Sequence, residues 1–352
     1  EGVMTKSTKK AAAATDRSRE QLVRALWPQK PAPVRVLACR HCGRSNKVPV
    51  PAAALDPESC ECGACGGALF LGPDEPLTGL ASSAYEHALD RKSLDAMKGL
   101  PGFSALLRWV LGNVVDRHLR ILQMSESVRC GEEQFPELVA MLDQARGRLD
   151  YQPKPDLYLK ESPSMNAFAG GVGQTPMVGV VGSLLDQCND AELLTVLGHE
   201  IGHLKAEHSL FHAMAHLLNA GVGFGVGQLL TLPIRKALFK WQRCSELTAD
   251  RAGLLASRDF LASLTLNLKF AGGNRPGVSS RTEIKLAPYV QQARDLAQME
   301  SDDWLDGVVA ALVTLDRSHP FAAWRLMHLL QWVENGSYLE ILSGRYERRA
   351  AA

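Results

Sequence analysis

Hydrophobic positions recur along this chain at three- and four-residue steps over long stretches, which predicts helices. Leu94, Met97, Leu100, Phe103, Leu106, Leu107, Val110 and Leu111 form one such run, divided in two by Pro101-Gly102. Phe135-Pro136 opens a further amphipathic helix over 137–149. The period then shortens to two at Asp156-Leu157-Tyr158-Leu159-Lys160, and Met165 to Gly170 and Met177 to Val181 follow between glycines and prolines, so a small sheet is expected. Asn189-Asp190-Ala191-Glu192 places an Asx residue three positions before an acid, the signature of a helix start. Leu193, Val196, Leu197, Ile201 and Leu204 continue as its apolar face. The fold class expected is α+β, mainly helical.

The rest of the chain organises around these elements. Residues 1–33 mix Lys, Ala, Ser, Arg and Pro without an apolar period and are expected to be a flexible tail, with a short helix open to Glu20–Trp27. A second unit spans 34–72, and after the Gly72-Pro73-Asp74-Glu75-Pro76 linker the main domain occupies 77–345. Leu210 to Ile234 is long enough to span a bilayer, yet it carries His212, His216, Asn219, Gln228, four glycines and Pro233. An apolar helical hairpin over the cleft, able to touch a membrane or a neighbouring subunit, is expected instead.

Composition narrows the function classes. The 352 residues carry a net charge of +1, which gives no general reason to expect nucleic acid or an anionic surface as partner. The polar, basic start lacks an apolar leader run, so a reducing cytoplasmic setting is expected. Five of the eight cysteines crowd into 39–65, which is metal-site clustering rather than a disulfide framework. Cys39-Arg-His-Cys42 and Cys62-Gly-Ala-Cys65 are paired knuckles, and four thiolates would close a tetrahedral shell around a structural zinc. A Pro-containing, hairpin-like stretch is expected between them. Cys60 is supernumerary, because only Cys62 makes the two-residue spacing with Cys65, and His41 reads as a loop residue.

The catalytic signal is His199-Glu200-Ile201-Gly202-His203. Residues four apart share one helix face, so both imidazoles can converge on one metal ion while Glu200 lies beside the open position as a general base. By chance such a match occurs in roughly one or two per cent of chains this long. Downstream, Glu246 and Asp250 also stand one turn apart on a helix. A carboxylate from a second helix would complete a two-His, one-Glu site, and Asp250 could orient a ligating imidazole. An edge strand carrying Asn166, Ala167 and Phe168 could pair with an extended substrate, although Asn166 reads equally as a turn residue.

Together these residues resemble the HtpX-like zinc metallopeptidases, the gluzincin family that also contains the CAAX-prenyl proteases. The motifs stand here as Asn166-Ala167-Phe168-Ala169, His199-Glu200-Ile-Gly-His203 with His208 beyond, Glu246-x-x-Ala-Asp250, and Ser318-His319-Pro320 with Arg325. The resemblance implies a gluzincin domain with a small sheet beside the zinc helix, here preceded by a zinc ribbon that most relatives lack. It implies His199, His203 and Glu246 as zinc ligands and Glu200 as general base, with His319 stabilising the oxyanion and Arg325 supporting the same region. One catalytic and one structural zinc, and a protein or peptide substrate, are expected. The competing expectation is a closed or conditionally inactive module acting by protein binding or in a chaperone-like way.

Overall fold

Strands β1 (Val34–Ala38) and β2 (Ser45–Pro49) pair antiparallel around the first cysteine knuckle, with Val34 opposite Pro49 and Ala38 opposite Ser45. The computed structural model describes residues 20–28, 33–103, 107, 116–171, 176–219, 228–272, 285–299 and 321–350. A turn of helix, α1, covers 20–26 within the expected tail. It is anchored, because Leu26 is fully buried and the Trp27 indole N–H donates to Glu334 at 2.7 Å. Between the two knuckles, where a hairpin-like stretch was expected, the chain forms helix α2 (Val50–Leu55). Pro51 in its first turn is pre-set for helical φ, and the alanines that follow favour the helix.

The main domain runs α3 (Ala88–Lys98), α4 (Asp116–Glu126), β3 (Val128–Arg129), α5 (Pro136–Arg148), β4 (Asp156–Lys160), β5 (Ala167–Gly170) and β6 (Met177–Val181). Helices α6 (Gly182–Gln187), α7 (Asp190–Lys205), α8 (Ser209–Asn219), α9 (Gln228–Ser257), α10 (Phe260–Gly272), α11 (Leu286–Met299), α12 (Ala322–Glu334) and α13 (Ser337–Leu342) follow. The sheet order is β3-β4-β6-β5, with β4 parallel to β6 and the other pairs antiparallel, so β5 is an edge strand. Helix α7 begins with the expected capping box. Asn189 accepts the Glu192 N–H and Glu192 accepts the Asn189 N–H, both at 2.9 Å. The Glu192 carboxylate also takes bonds from Lys269 and Thr265 at 2.7 Å, which tie α7 to α10.

The central packing is α7 against α9. A Cβ added at Gly198 would meet the Ala256 Cβ at 2.3 Å, and one at Gly202 would meet the Ala252 Cβ at 2.4 Å. From the other side, a Cβ on Gly253 would come 2.8 Å from the Thr195 carbonyl oxygen. The two backbones therefore approach to a separation that only small residues permit. One apolar core continues from Leu37, Val48 and Phe70 of the ribbon through Leu197, Ile201 and Leu255 to Leu326 and Leu339. Backbone bonding follows the same seam, with the Leu71 N–H donating to Leu342 at 2.8 Å. A second cluster joins Met97 and Phe103 to Met214, Ile234, Leu238 and Trp241. Among the described residues no helix is long and apolar enough to cross a membrane. The stretch expected as a hairpin supplies α8 and the start of α9, and 220–227 lie outside the described residues.

Gly198→Val should lower stability by about 2 kcal/mol or more, since overpacking outweighs the gain in helix propensity. Gly147→Ala, on an open face of α5 with no atom within 4 Å of its Cβ position, should raise stability by roughly 0.5 kcal/mol. Urea unfolding of both variants checks the pair, and a destabilised Gly147→Ala or an unaffected Gly198→Val would contradict the packing account.

Candidate metal centres and catalytic cleft

Helix α7 turns His199 and His203 towards Glu246 on α9. The His199 Nε2 lies 3.1 Å from the His203 Nε2 and 3.5 Å from a Glu246 carboxylate oxygen, and the His203 Nε2 lies 3.4 Å from the other oxygen. A tetrahedral ion with arms of about 2.05 Å to N and O ligands needs ligand pairs roughly 3.3 Å apart, so the three donors have the spacing of one zinc shell with a fourth position open. Charge points the same way. Glu200, Glu246 and Asp250 are all at least nine-tenths buried or nearly so, and Arg325 is the cation set among them. Three carboxylates against one guanidinium leave two negative charges, which a divalent cation would balance. Burial pulls the His199 imidazole down, but Asp250 and Glu246 outweigh it and hold the group up to about 10.

Each imidazole is oriented from behind. The His199 Nδ1 sits 3.1 Å from Asp250, whose other oxygen accepts from the Arg325 Nε at 2.8 Å. Arg325 also reaches Glu246 at 3.1 Å, so its guanidinium braces both carboxylates. The His203 Nδ1 sits 2.9 Å from the His208 Nδ1, and the His208 Nε2 lies 3.2 Å from Asp90. Asp90 is fully buried and accepts from the Thr248 hydroxyl at 2.6 Å. Burial alone would raise its pKa, yet the bonds from His208 and Thr248 keep it below the usual carboxylate value. An ionised Asp90 accepts from the His208 Nε2–H, which leaves the His208 Nδ1 to accept from the His203 Nδ1–H. The lone pair of the His203 Nε2 then faces Glu246 and His199. Asp90 and Thr248 escaped sequence reading, because an acid in the first turn of a distant helix carries no signal of its partner.

Glu200 lines a cavity of about 40 Å3 together with His199, Thr195, Asn267, Arg325 and Ala167. Ala167 therefore places β5 at the cleft. Phe168 faces the other side of the strand, where its ring fills the space a Cβ on Gly179 would need. Asn166 is half-buried, and its carbonyl accepts the Val181 N–H at 3.1 Å. His319, Ser318 and Pro320 lie outside the described residues. His208 and His212 pack on the core, with His212 3.0 Å from the Ser245 hydroxyl and His208 edge-on to Trp241.

The cysteines converge independently. The Cys39 and Cys65 sulfurs, and those of Cys42 and Cys62, are each 3.7 Å apart. Zinc with Zn–S arms of about 2.3 Å requires roughly 3.8 Å. Backbone N–H groups of His41 and Ala64 point at the sulfurs of Cys39 and Cys62, and such bonds hold the Cys62 thiol down to about 6. Cys60 turns away towards the Asp56 carbonyl, 3.7 Å distant.

A family model for peptidase family M48 matches residues 132–333, more than half of the chain. The chain belongs to peptidase family M48. This M48 chain is 28% identical to the plastoglobule-localized metallopeptidase 48 of Arabidopsis thaliana, chloroplastic by name, over 75% of this chain and 76% of that one. It is 30% identical to a protease HtpX homolog of Acidiphilium cryptum over 34% of this chain and 42% of that one. For the homolog of Streptococcus uberis the figures are 25%, 48% and 54%, so the chain spans about half the length of these two relatives. No solved structure matches. The M48 chain is thus an HtpX-like zinc metallopeptidase, mainly helical with small sheets, whose family implies protein or peptide substrates.

Asp90→Asn should weaken zinc binding at the His199, His203 and Glu246 cluster by on the order of 10- to 100-fold, as loss of a partner behind a ligating imidazole does. Chelator competition measures it. Affinity equal to wild type would show that His208 and Asp90 do not orient His203.

Proposed function

We propose that this M48 chain is a zinc endopeptidase that cuts extended or unfolded protein segments. The observation that carries the reading is the convergence of His199, His203 and Glu246 at tetrahedral spacing with Glu200 in the adjoining cavity. Zinc bound by the three residues would polarise the scissile carbonyl and acidify a water. Glu200 takes the proton from that water and returns it to the leaving amine. Asp250 fixes His199, Arg325 braces Asp250 and Glu246, and His319 is assigned the oxyanion by its motif. As the last strand in the sheet order, β5 offers backbone pairing at Ala167, which suits extended chains regardless of side chain. A second zinc on Cys39, Cys42, Cys62 and Cys65 would be structural, holding 34–72 as a ribbon against the 77–345 domain.

Burial favours a second reading, in which the cleft is closed or conditionally inactive and the chain acts by binding protein. His199 is 7% exposed, and Glu200, His203 and Glu246 are 3% exposed, beside a cavity of only about 40 Å3. Hydrolysis of an unfolded protein by the intact chain would exclude permanent closure, whereas activity only after truncation or partner addition would establish conditional closure.

Metal analysis should return two zincs per chain, falling to one in a Cys62→Ser, Cys65→Ser variant. Glu200→Gln should keep both and lose at least about a hundredfold in kcat/KM on an unfolded substrate. Undiminished hydrolysis would sink the assignment of Glu200.

A further inference from the structure

A cavity of about 750 Å3 opens immediately past His203, at the C-terminal end of α7, within the size range of ligand sites. Its walls include Lys205, Ser209, Leu210, Phe211, Arg349 and Gly171. Four features there favour an anion. Residues 209–211 are the first turn of the eleven-residue α8, whose N-terminus carries partial positive charge. Ser209 is only 8% exposed, and its hydroxyl has no hydrogen-bond partner, a cost that a ligand acceptor would remove. The Lys205 ammonium is held 3.1 Å from the Asp150 carbonyl rather than by a carboxylate. Arg349 adds a second cation, bonded to the Asp150 side chain at 2.5 Å. Asp150 therefore offsets one of the two cations, and Glu207, the other acid at the cavity, is exposed.

We propose that this cavity is a subsite for a carboxylate carried by the substrate chain, held by Lys205, Ser209, Arg349 and the N-terminus of α8. The inference rests on the endopeptidase reading and extends it to substrate choice. The connection to the reacting bond is β5. Ala167 borders the catalytic cavity and Gly171, just beyond the strand, borders this one. Four residues of strand at ~3.3 Å each cover about 13 Å. A peptide paired along β5 thus brings to Lys205 a group roughly three to five residues from the scissile bond. The carboxylate belongs either to an Asp or Glu side chain or to the free end of the chain, and both have the same chemistry.

The test uses fluorescently labelled peptides and the zinc-loaded Glu200→Gln chain, so that binding is read without turnover. Peptides carrying Asp or its isostere Asn at each position three to five residues either side of a cleavable bond are compared by anisotropy, as are C-terminal acids and amides. Asp over Asn by on the order of tenfold, at one of those positions, is the expected result. Acid over amide by a similar factor would make the chain end the source. In both cases the ratio should fall towards one when Lys205→Met is added, and Ser209→Ala should reduce it severalfold should the Lys205 variant fold poorly. Equal binding of all pairs overturns the subsite, and so does a ratio untouched by both substitutions. Wild-type hydrolysis of the Asn peptides is scored separately. Its absence counts against the endopeptidase reading and leaves the binding comparison standing.

Discussion

The close approach of α7 and α9 is the constraint on which the rest depends. A glutamate side chain reaches only a few ångströms from its backbone, so Glu246 can meet the two imidazoles at 3.4 and 3.5 Å only if the helices nearly touch. Gly198 and Gly202 make that approach, each directly before a metal-facing histidine, and Ala252, Gly253 and Ala256 receive them. Adjacent positions on a helix are turned by about a third of a circle, so one face can pack backbone on backbone while the next presents the chemistry. The glycines within and beside the His-Glu-x-x-His sequence thus serve the geometry of the site as directly as the ligands do.

That closeness buries charge, and the arrangement behind the ligands answers the cost. Each imidazole has its own support and the two differ in kind. His199 leans on Asp250, which Arg325 holds from the far side, whereas His203 leans on His208, which is bonded in turn to Asp90. Burial favours the neutral form of His203 and outweighs Glu246, holding it down to about 3, while Asp250 and Glu246 hold His199 up to about 10.

What was legible in the sequence were the features set by local spacing. Helical four-residue intervals fixed His199 with His203 and Glu246 with Asp250, the two-residue knuckles separated Cys62 from Cys60, and the capping box at Asn189 marked the start of the metal helix. Features made by contact between distant segments were not legible. Asp90 has no local reason to be ionised and buried, and nothing in Trp27 announces Glu334. The stretch between the knuckles misled because proline suggests a turn, while Pro51 in a first turn followed by alanines starts a helix. Arg325 was read through its motif as a support for the oxyanion region, and its bonds to Asp250 and Glu246 are visible only in three dimensions.

Access follows from the same connections. His208 stands between the metal helix and the first turn of α8, bonded at once to His203 and Asp90, and one turn on His212 is bonded to Ser245 of α9. The first turn of α8 therefore cannot swing away from the cleft without drawing His208 off the ligand it orients. A substrate that must displace α8 at that point would lose metal affinity as it entered. A substrate that reaches β5 from the Gly171 end meets the wide cavity first and leaves the His208 connection intact. The rigid start of α8 and the open space beneath it are thus complementary. One keeps the metal ligand in register, and the other supplies a route to the edge strand that does not disturb it.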